Sequence, residues 1–561
     1  MDYKTTIGDI FSPRRNHFAV PNYQRAYSWD VGSEEDKQVP QFLKDLKEHP
    51  ANVAQYHLGH FLFEQDNTDT HKYWIIDGQQ RMTTGIIFLS CIYKRLKGIP
   101  EYNKEAENLY NEYLQNTDEQ QKFETVAYDS NFFFNLIVEN REDKIDTRSR
   151  RRIKEAYDYL DKKIQKAEIR DVLHWKSLIE NAKITTDKVE GKAEATQIFT
   201  FQNDRGKDLT NLEKLKAFLM LQIFLACKHT DIKPDQAIGF VEKEFETIYK
   251  AVEKINIADE DQVLNYHTTA FLPHANTAIE QVKNALYKVS VEEQSKWIRT
   301  FVVDLKRSFE YVITIQEKRN TYSSIADVLF LDQPNSFPLL IKLYHFHENS
   351  DELESVIRLI EIILFRLKYT SGNYYTNYLP QIAYGYTGHS LSQLKEQLLY
   401  HAKFGFKNYW NFERDFHSYL DGDHHYFGLT RYLLWKYENH LRDNIREPYM
   451  LFPEFNNLYG KTKLENTIDH WAPQNPYDKQ YEEEFREKYL HNIGNMVLAT
   501  RGRNASDSNG SPEERLTIST LISRQQLESH KKNWGKEQIK TRQQEIVVFA
   551  KDYWNPENYI D

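Results

Sequence analysis

Between a few short motifs, apolar residues recur along this chain at helical steps of three and four. Ile153, Tyr157, Leu160 and Ile164 form one stripe within residues 143–168, which predicts an amphipathic helix. Residues 354–369, ESVIRLIEIILFRLKY, are apolar nearly all round, as expected of a helix central to a bundle. From about 212, opening with LEKLKAFLMLQIF, to about 445, apolar helices alternate with polar turns. Near the end, Ile539, Ile546, Ala550 and Tyr553 share one side of a further helix. Strand signals are short. Trp74-Ile75-Ile76 reads as a buried strand, followed by a tight turn at Asp77 and Gly78 and a helix beginning near Gln80. Ile493 to Leu498 reads as another strand, and the Asn504 segment, after Arg501, Gly502 and Arg503, as a turn entering a helix.

Composition changes this picture only at its edges. A chain of 561 residues suggests about three domains with more than one core. Hydrophobic residues are 40% and aromatics 14%, with few Gly and Pro, which favours a well-packed helical protein over a low-complexity one. The formal charge of −10 excludes a uniformly basic coat for nucleic acid, so any DNA contact must be local. Cys91 and Cys227 each lie in an apolar run and are expected to be core residues, not a disulfide or a zinc ligand. MDYKTTIGDIF carries no signal-peptide pattern and the apolar runs are too short to span a membrane, so a cytoplasmic protein is expected.

The residues with the clearest chemistry are Thr467-Ile-Asp-His-Trp-Ala-Pro-Gln474, then Ile493-Gly-Asn-Met-Val-Leu498, then Asn504. A carboxylate beside an imidazole, followed by two spaced carboxamides, is what a one-metal phosphodiesterase needs. His470 would take a proton from water, Asp469 and Asn504 would give oxygen ligands to Mg²⁺ or Mn²⁺, and Asn495 would orient the imidazole through its amide oxygen. Otherwise Asp469 and His470 are a polar turn pair and the two asparagines cap helices. The D-H-x-x-P-Q, G-N-x-V-L and N series, about forty residues in a strand, loop, strand, helix layout, resembles the ββα-metal (HNH, or His-Me finger) nucleases.

A second constellation lies near the N-terminus. Val20-Pro-Asn-Tyr-Gln-Arg-Ala-Tyr-Ser-Trp29 is followed by His57-Leu-Gly-His-Phe-Leu-Phe63 and by Tyr73-Trp-Ile-Ile-Asp-Gly-Gln-Gln-Arg-Met-Thr-Thr84. A helix N-terminus behind a Gly turn is a natural phosphate seat, and Arg81 beside it can neutralise phosphate charge; an Asp-Gly cap is the plainer reading. Later comes Ile198-Phe-Thr-Phe-Gln-Asn-Asp-Arg-Gly-Lys-Asp-Leu209. The order Y-Q-R-x-Y-x-W, L-G, D-G-Q-Q-R-x-T resembles the N-terminal domain of GmrSD-type modification-dependent (type IV) restriction endonucleases and their phage-defence relatives such as SspE and BrxU. Such domains are similar in fold to ParB and sulfiredoxin. The resemblance implies binding and hydrolysis of a nucleoside triphosphate, GTP or another, with Asp77, Gly78, Gln79, Gln80 and Arg81 lining the site. It also places Gln24 and Arg25 facing that site and Asn203, Arg205 and Gly206 closing it. The same family commonly ends in an HNH domain, and Trp534-Gly-Lys-Glu-Gln-Ile-Lys-Thr-Arg542 leading to Asp552-Tyr-Trp554 resembles its closing element.

Two departures from the family pattern stand out. Asp469 replaces the usual Glu, and SDSNGSPEERL after Asn504 lacks the usual ending, leaving open whether Asp507, Asn509 or Arg515 completes the site. Arg148, Arg150, Arg151, Arg152 and Lys154 form either a solvated face or a phosphate contact. His424 and His425 read as an exposed loop, and Tyr374, Tyr375 and Tyr378 as packing residues more than a platform for a flipped base.

The expected fold class is α+β, predominantly helical: a ParB/sulfiredoxin-like nucleotide-binding domain with a helical insertion (1–220), a helical domain (221–445) and a C-terminal ββα-metal (HNH) nuclease domain (446–561). The expected function is a phage-defence DNA endonuclease or nickase, regulated by a nucleoside triphosphate and directed at modified DNA. A homodimer or two encounters would be needed to break both strands. The alternative is a nucleotide-dependent DNA-binding regulator with an inactive nuclease-like domain.

Overall fold

The computed structural model describes residues 4–12, 16–32, 37–49, 55–189, 209–227, 233–321, 323–370, 378–405, 428–457, 468–476, 480–499, 511–514 and 520–559. The chain is a predominantly helical α+β protein, as its periodicity predicts, with a six-stranded mixed sheet in the N-terminal part and a two-stranded one in the C-terminal part. It divides into two compact units, Met1–Asn265 with Ala275–Glu310, and Tyr266–His274 with Tyr311–Asp561.

In the first unit, strands β1 (Lys4–Thr6), β2 (His17–Ala19), β3 (His57–Gln65), β4 (Lys72–Asp77), β5 (Phe123–Glu124) and β6 (Lys183–Val189) lie in the order β1-β6-β3-β4-β2-β5. β2 and β4 run parallel, with Ala19 opposite Trp74, so the chain leaving β2 and the chain leaving β4 emerge side by side. This pairing brings the Tyr23-Gln24-Arg25 segment to the Asp77-Gly78 turn although some fifty residues separate them. The helix after that turn, α1 (Gln79–Lys97), buries Met82, Ile86, Phe88, Leu89 and Ile92, and starts one residue before the position expected. Helix α2 (Arg148–Gln165) packs against it with Ile153, Tyr157, Leu160 and Ile164 all buried, the predicted stripe. Thr147 caps α2 by accepting from the Arg150 N–H. Two of the five residues of the basic cluster at its start are engaged: Arg150 meets Asp129, Asp146 and the Tyr128 carbonyl, and Lys154 meets Asp158 at 2.6 Å.

Helices α3 (Asn211–Cys227), α4 (Pro234–Val252) and the start of α5 (Glu260–Phe271), together with Ala275–Glu310, complete the first unit. The helical stretch after 220 is shared between the two units. The ties are polar. Lys216 on α3 donates to the Tyr23 carbonyl and Gln24 Oε1, Arg25 bonds Glu260 on α5 at 3.1 Å, and the Ser149 N–H donates to Glu253 at 2.8 Å. Periodicity shows which face of a helix is buried but not against what.

In the second unit, α6 (Leu353–Thr370) buries Val356, Ile360, Ile363 and Leu364, as a central helix should. It also buries a charge. Glu361 accepts from Trp554 Nε1 at 2.6 Å and from the Tyr432 hydroxyl, and pairs with Arg358. Tyr432 belongs to α7 (Gly428–Asn444), and Trp554 stacks on Phe365 with centroids 3.6 Å apart. Strands β7 (Ile468–His470) and β8 (Met496–Leu498) pair antiparallel, and α8 (Ile522–Glu528) and α9 (Lys536–Tyr553) follow them. Among the described residues no helix is long and apolar enough to cross a membrane.

Candidate nuclease and nucleotide sites

The C-terminal site is built on β7 and β8, where Asp469 pairs with Val497 and His470 with Met496. Both side chains are almost wholly buried. The strand after the loop is shorter than expected, because Ile493–Asn495 forms a 3₁₀ turn: the Asn492 side chain accepts from the Gly494 N–H at 2.8 Å and holds the turn closed. Asn495, fully buried, does not reach the imidazole. Its amide oxygen accepts from the Ala472 N–H at 2.8 Å and Trp534 Nε1 at 3.1 Å, and its amide nitrogen donates to the Leu490 and Ala472 carbonyls. These four bonds fill the capacity of a carboxamide. The orienting role expected for Asn495 is therefore corrected: it ties the loop after β7 to the turn before β8.

Helix α9 locks that turn. Arg542 on α9 donates to the Gly494 and Met496 carbonyls, both at 2.7 Å. A Cβ at Gly494 would stand 2.1 Å from the Ile539 carbonyl oxygen, so glycine is what lets α9 lie this close. The Trp534…Arg542 element is thus more than a docked amphipathic helix, since three of its residues address the Gly494-Asn495 turn.

Asp469 faces Arg524 across 3.6 Å, both buried. Arg524 is delivered by α8, whose first N–H groups, Ile522 and Ser523, donate to Glu438 on α7 at 2.8 Å each. His470 lies within 3.3 Å of both the Gln474 amide nitrogen and His491 Nδ1. Among the described residues no three His, Cys, Asp or Glu side chains converge as a metal cage. The hard carboxylate of Asp469, the residue before the imidazole, nevertheless suits Mg²⁺, which uses one or two protein oxygens and takes the rest from water and phosphate. Asn504, Asp507, Asn509 and Arg515 lie outside the described residues, as do His424, His425, Tyr374 and Tyr375.

The N-terminal motifs converge on the start of α1. Gly78 has φ +91°, and a Cβ there would stand 2.3 Å from the Phe61 ring, so the turn requires glycine twice over. Gln80 bridges the Ser28 N–H and the Ala26 carbonyl, and Gln24 donates to the Ile76 carbonyl at 3.0 Å. Arg81 donates to the His60 carbonyl at 2.7 Å and pairs with Asp77 at 3.6 Å. Gly59, at φ +105°, leaves the space that the Arg81 guanidinium occupies. Arg25 is balanced by Glu260 and Glu213 and donates to Ser28 Oγ at 2.6 Å. Burial pulls the neighbouring Lys216 ammonium down to about 8, against the opposing pull of Glu213 and Glu242. Gln24, Arg25, Asp77, Gly78, Gln80 and Arg81 are therefore neighbours, with Gln79 in the first turn of the helix. Asn203, Arg205 and Gly206 lie outside the described residues.

Both sites coincide with matches to known families. Residues 7–220 match the GmrSD restriction endonuclease N-terminal domain, and residues 406–548 match the GmrSD restriction endonuclease C-terminal domain. The chain belongs to the GmrSD restriction endonuclease family. Its substrate is accordingly DNA, its reaction hydrolytic cleavage, and its setting defence against phage. No curated protein matches the chain.

Within this GmrSD framework, several residues beside the sites escape a reading of motifs. Glu213 and Glu260 lie far from the Tyr-Gln-Arg segment in sequence, and an acidic residue in an amphipathic helix reads as surface. Arg524 sits outside the quoted nuclease motifs. His491 had a signal, as a histidine three residues before Gly494-Asn495, but a lone histidine there does not announce a partner.

Proposed function

We propose that this chain is a DNA endonuclease or nickase of the one-metal HNH type, regulated by a nucleoside triphosphate and directed at modified foreign DNA. The observation that carries the nuclease reading is the β7–β8 pair, which holds a carboxylate and an imidazole at successive buried positions of a strand braced by Asn495 and Arg542. His470 takes a proton from the attacking water, and the rigid strand pair holds the imidazole in place. Asp469 and Asn504 would hold Mg²⁺ together with phosphate oxygens, and the ion would neutralise charge at the scissile phosphate. The nucleotide reading is supported by the start of α1, which carries no side-chain cap among the described residues and so offers first-turn N–H groups to an anion, with Arg81 in the same turn.

A second reading, a nucleotide-dependent DNA-binding regulator without cutting, is favoured by one contact: the buried Arg524 guanidinium already balances the Asp469 carboxylate. Cleavage of unmodified, glucosylated hydroxymethylcytosine and phosphorothioate plasmid, each with and without triphosphate and Mg²⁺, separates the two. Metal-dependent nicking supports the first reading. Binding without cleavage of any of the three plasmids supports the second.

A further inference from the structure

Two imidazoles meet at the end of β7. His491 Nδ1 lies 3.3 Å from His470 Nε2, and the rings, 5.3 Å between centroids, stand at 87° to each other. An edge-on approach that brings nitrogen to nitrogen is a hydrogen-bonding arrangement, not a stack. His491 stands on a fixed stretch of backbone. The carbonyl before it, Leu490, accepts from Asn495 Nδ2 at 2.8 Å, and the residue after it, Asn492, donates from Nδ2 to Gln543 Oε1 at 2.9 Å.

We propose that His491 is a positioning residue that sets the tautomer and ring angle of His470, so that Nε2 carries the proton and Nδ1 presents its lone pair to water. This rests on His470 being the general base. A neutral imidazole has one N–H and one lone pair. If His491 donated into Nε2, the only lone pair of His470 would be spent and its Nδ1 would hold a proton already. If His491 Nδ1 accepts the Nε2 proton, the Nδ1 lone pair is left for chemistry. The Gln474 amide nitrogen lies 3.3 Å from that Nδ1 and 3.4 Å from Nε2; with the Nε2 proton given to His491, its donor can turn only to the Nδ1 lone pair, where water replaces it on binding. In the reaction a water O–H bond breaks and an N–H bond forms at Nδ1. The hydroxide oxygen bonds phosphorus, the P–O ester bond breaks, and the leaving oxygen takes a proton from solvent. His491 thus does the work that motif reading gave to Asn495.

The test is plasmid nicking by the full chain with Mg²⁺, comparing His491→Ala, His491→Asn and His491→Phe, with His470→Ala in parallel. His491→Ala is expected to lower kcat by about 10²-fold with little change in KM for DNA, the scale set by misplacing a reacting group. His491→Asn, whose Oδ1 can accept from nearly the same place, should recover most of the loss. His491→Phe keeps a ring of similar size without the acceptor and should stay as slow as His491→Ala. A second readout needs no turnover. With histidines labelled in ¹⁵N and the His470 signals assigned by their loss in His470→Ala, metal-free wild type should show His470 protonated at Nε2, and His491→Ala should show a tautomer mixture. If His491→Phe matches His491→Asn in kcat, or His470 keeps its tautomer in His491→Ala, the inference fails while the nuclease reading stands. Undiminished nicking by His470→Ala would instead overturn the reading of His470 as base, and this inference with it.

Discussion

Two buried side chains on β7 carry the proposed chemistry, and they should respond differently to substitution. His470→Ala should lose about 10²–10⁴ in cleavage rate, the usual worth of a general base, with an unchanged melting curve, as read by plasmid nicking alongside thermal unfolding. For the metal, Asp469→Asn is a better probe than Asp469→Ala, because an amide still fills the space before Arg524. Asp469→Asn and Asn504→Ala should both raise the Mg²⁺ concentration needed for half-maximal cutting, and equal midpoints for wild type and variants would remove both from the ligand set. Asn495→Ala should act on folding more than on turnover. It strands the Ala472 N–H, the Trp534 indole N–H and two carbonyls, so a loss of roughly 2–4 kcal/mol is expected in denaturant unfolding of the C-terminal unit. The motif made the site visible because Asp, His and Asn in register name a chemistry. It could not distribute the roles, since a carboxamide that orients a ring and one that ties two loops look alike in sequence, and only the four bonds of Asn495 tell them apart.

At the level of elements, helices were read more faithfully than strands. Ile153, Tyr157, Leu160 and Ile164 repeat at a helical step and are buried together. The segment from Ile493 to Leu498 is just as apolar, yet half of it is a 3₁₀ turn, because the Asn492 side chain offers the backbone a competing partner. That turn leads to a sharp expectation. Gly494→Ala would push a methyl group into the Ile539 carbonyl and lift α9 from the turn, so nicking should fall steeply while the N-terminal unit unfolds as before, which limited proteolysis can follow. In the other unit, Arg81→Ala and Asp77→Ala should abolish triphosphate hydrolysis, measured as phosphate release. Arg81 also ties α1 to β3 through the His60 carbonyl, so its variant should lose some stability too, whereas Gln79→Ala serves as the milder control. Retained hydrolysis by both variants would leave the helix start a structural cap.

The whole molecule shows how far periodicity reaches. Its fold class follows from the pattern of apolar steps, but the partition into two units follows from contacts such as Arg25 with Glu260 and Lys216 with Gln24, which no local pattern encodes. The second unit also carries a titration of its own. His267 is buried, and burial, with Lys342 and His345 nearby, pulls its imidazole down to about 3. A depressed histidine is neutral in the fold but takes up a proton in the unfolded chain, so its contribution is complete above about pH 6.5 and is lost as pH falls toward 3. Stability of this unit should therefore drop by roughly 1.4 kcal/mol per pH unit in that window. Urea unfolding at several pH values should show the slope in wild type and a shallower one in His267→Phe.

The order of synthesis gives the grip of Arg542 on the Gly494 turn a meaning in time. His470 and both strands leave the ribosome well before Trp534 and Arg542, which hold them in shape. A partly made chain thus carries the imidazole proposed as base without the brace that holds the neighbouring turn. On the proposed reading, a cell building this enzyme beside its own chromosome meets no working blade until α9 has been translated and has docked.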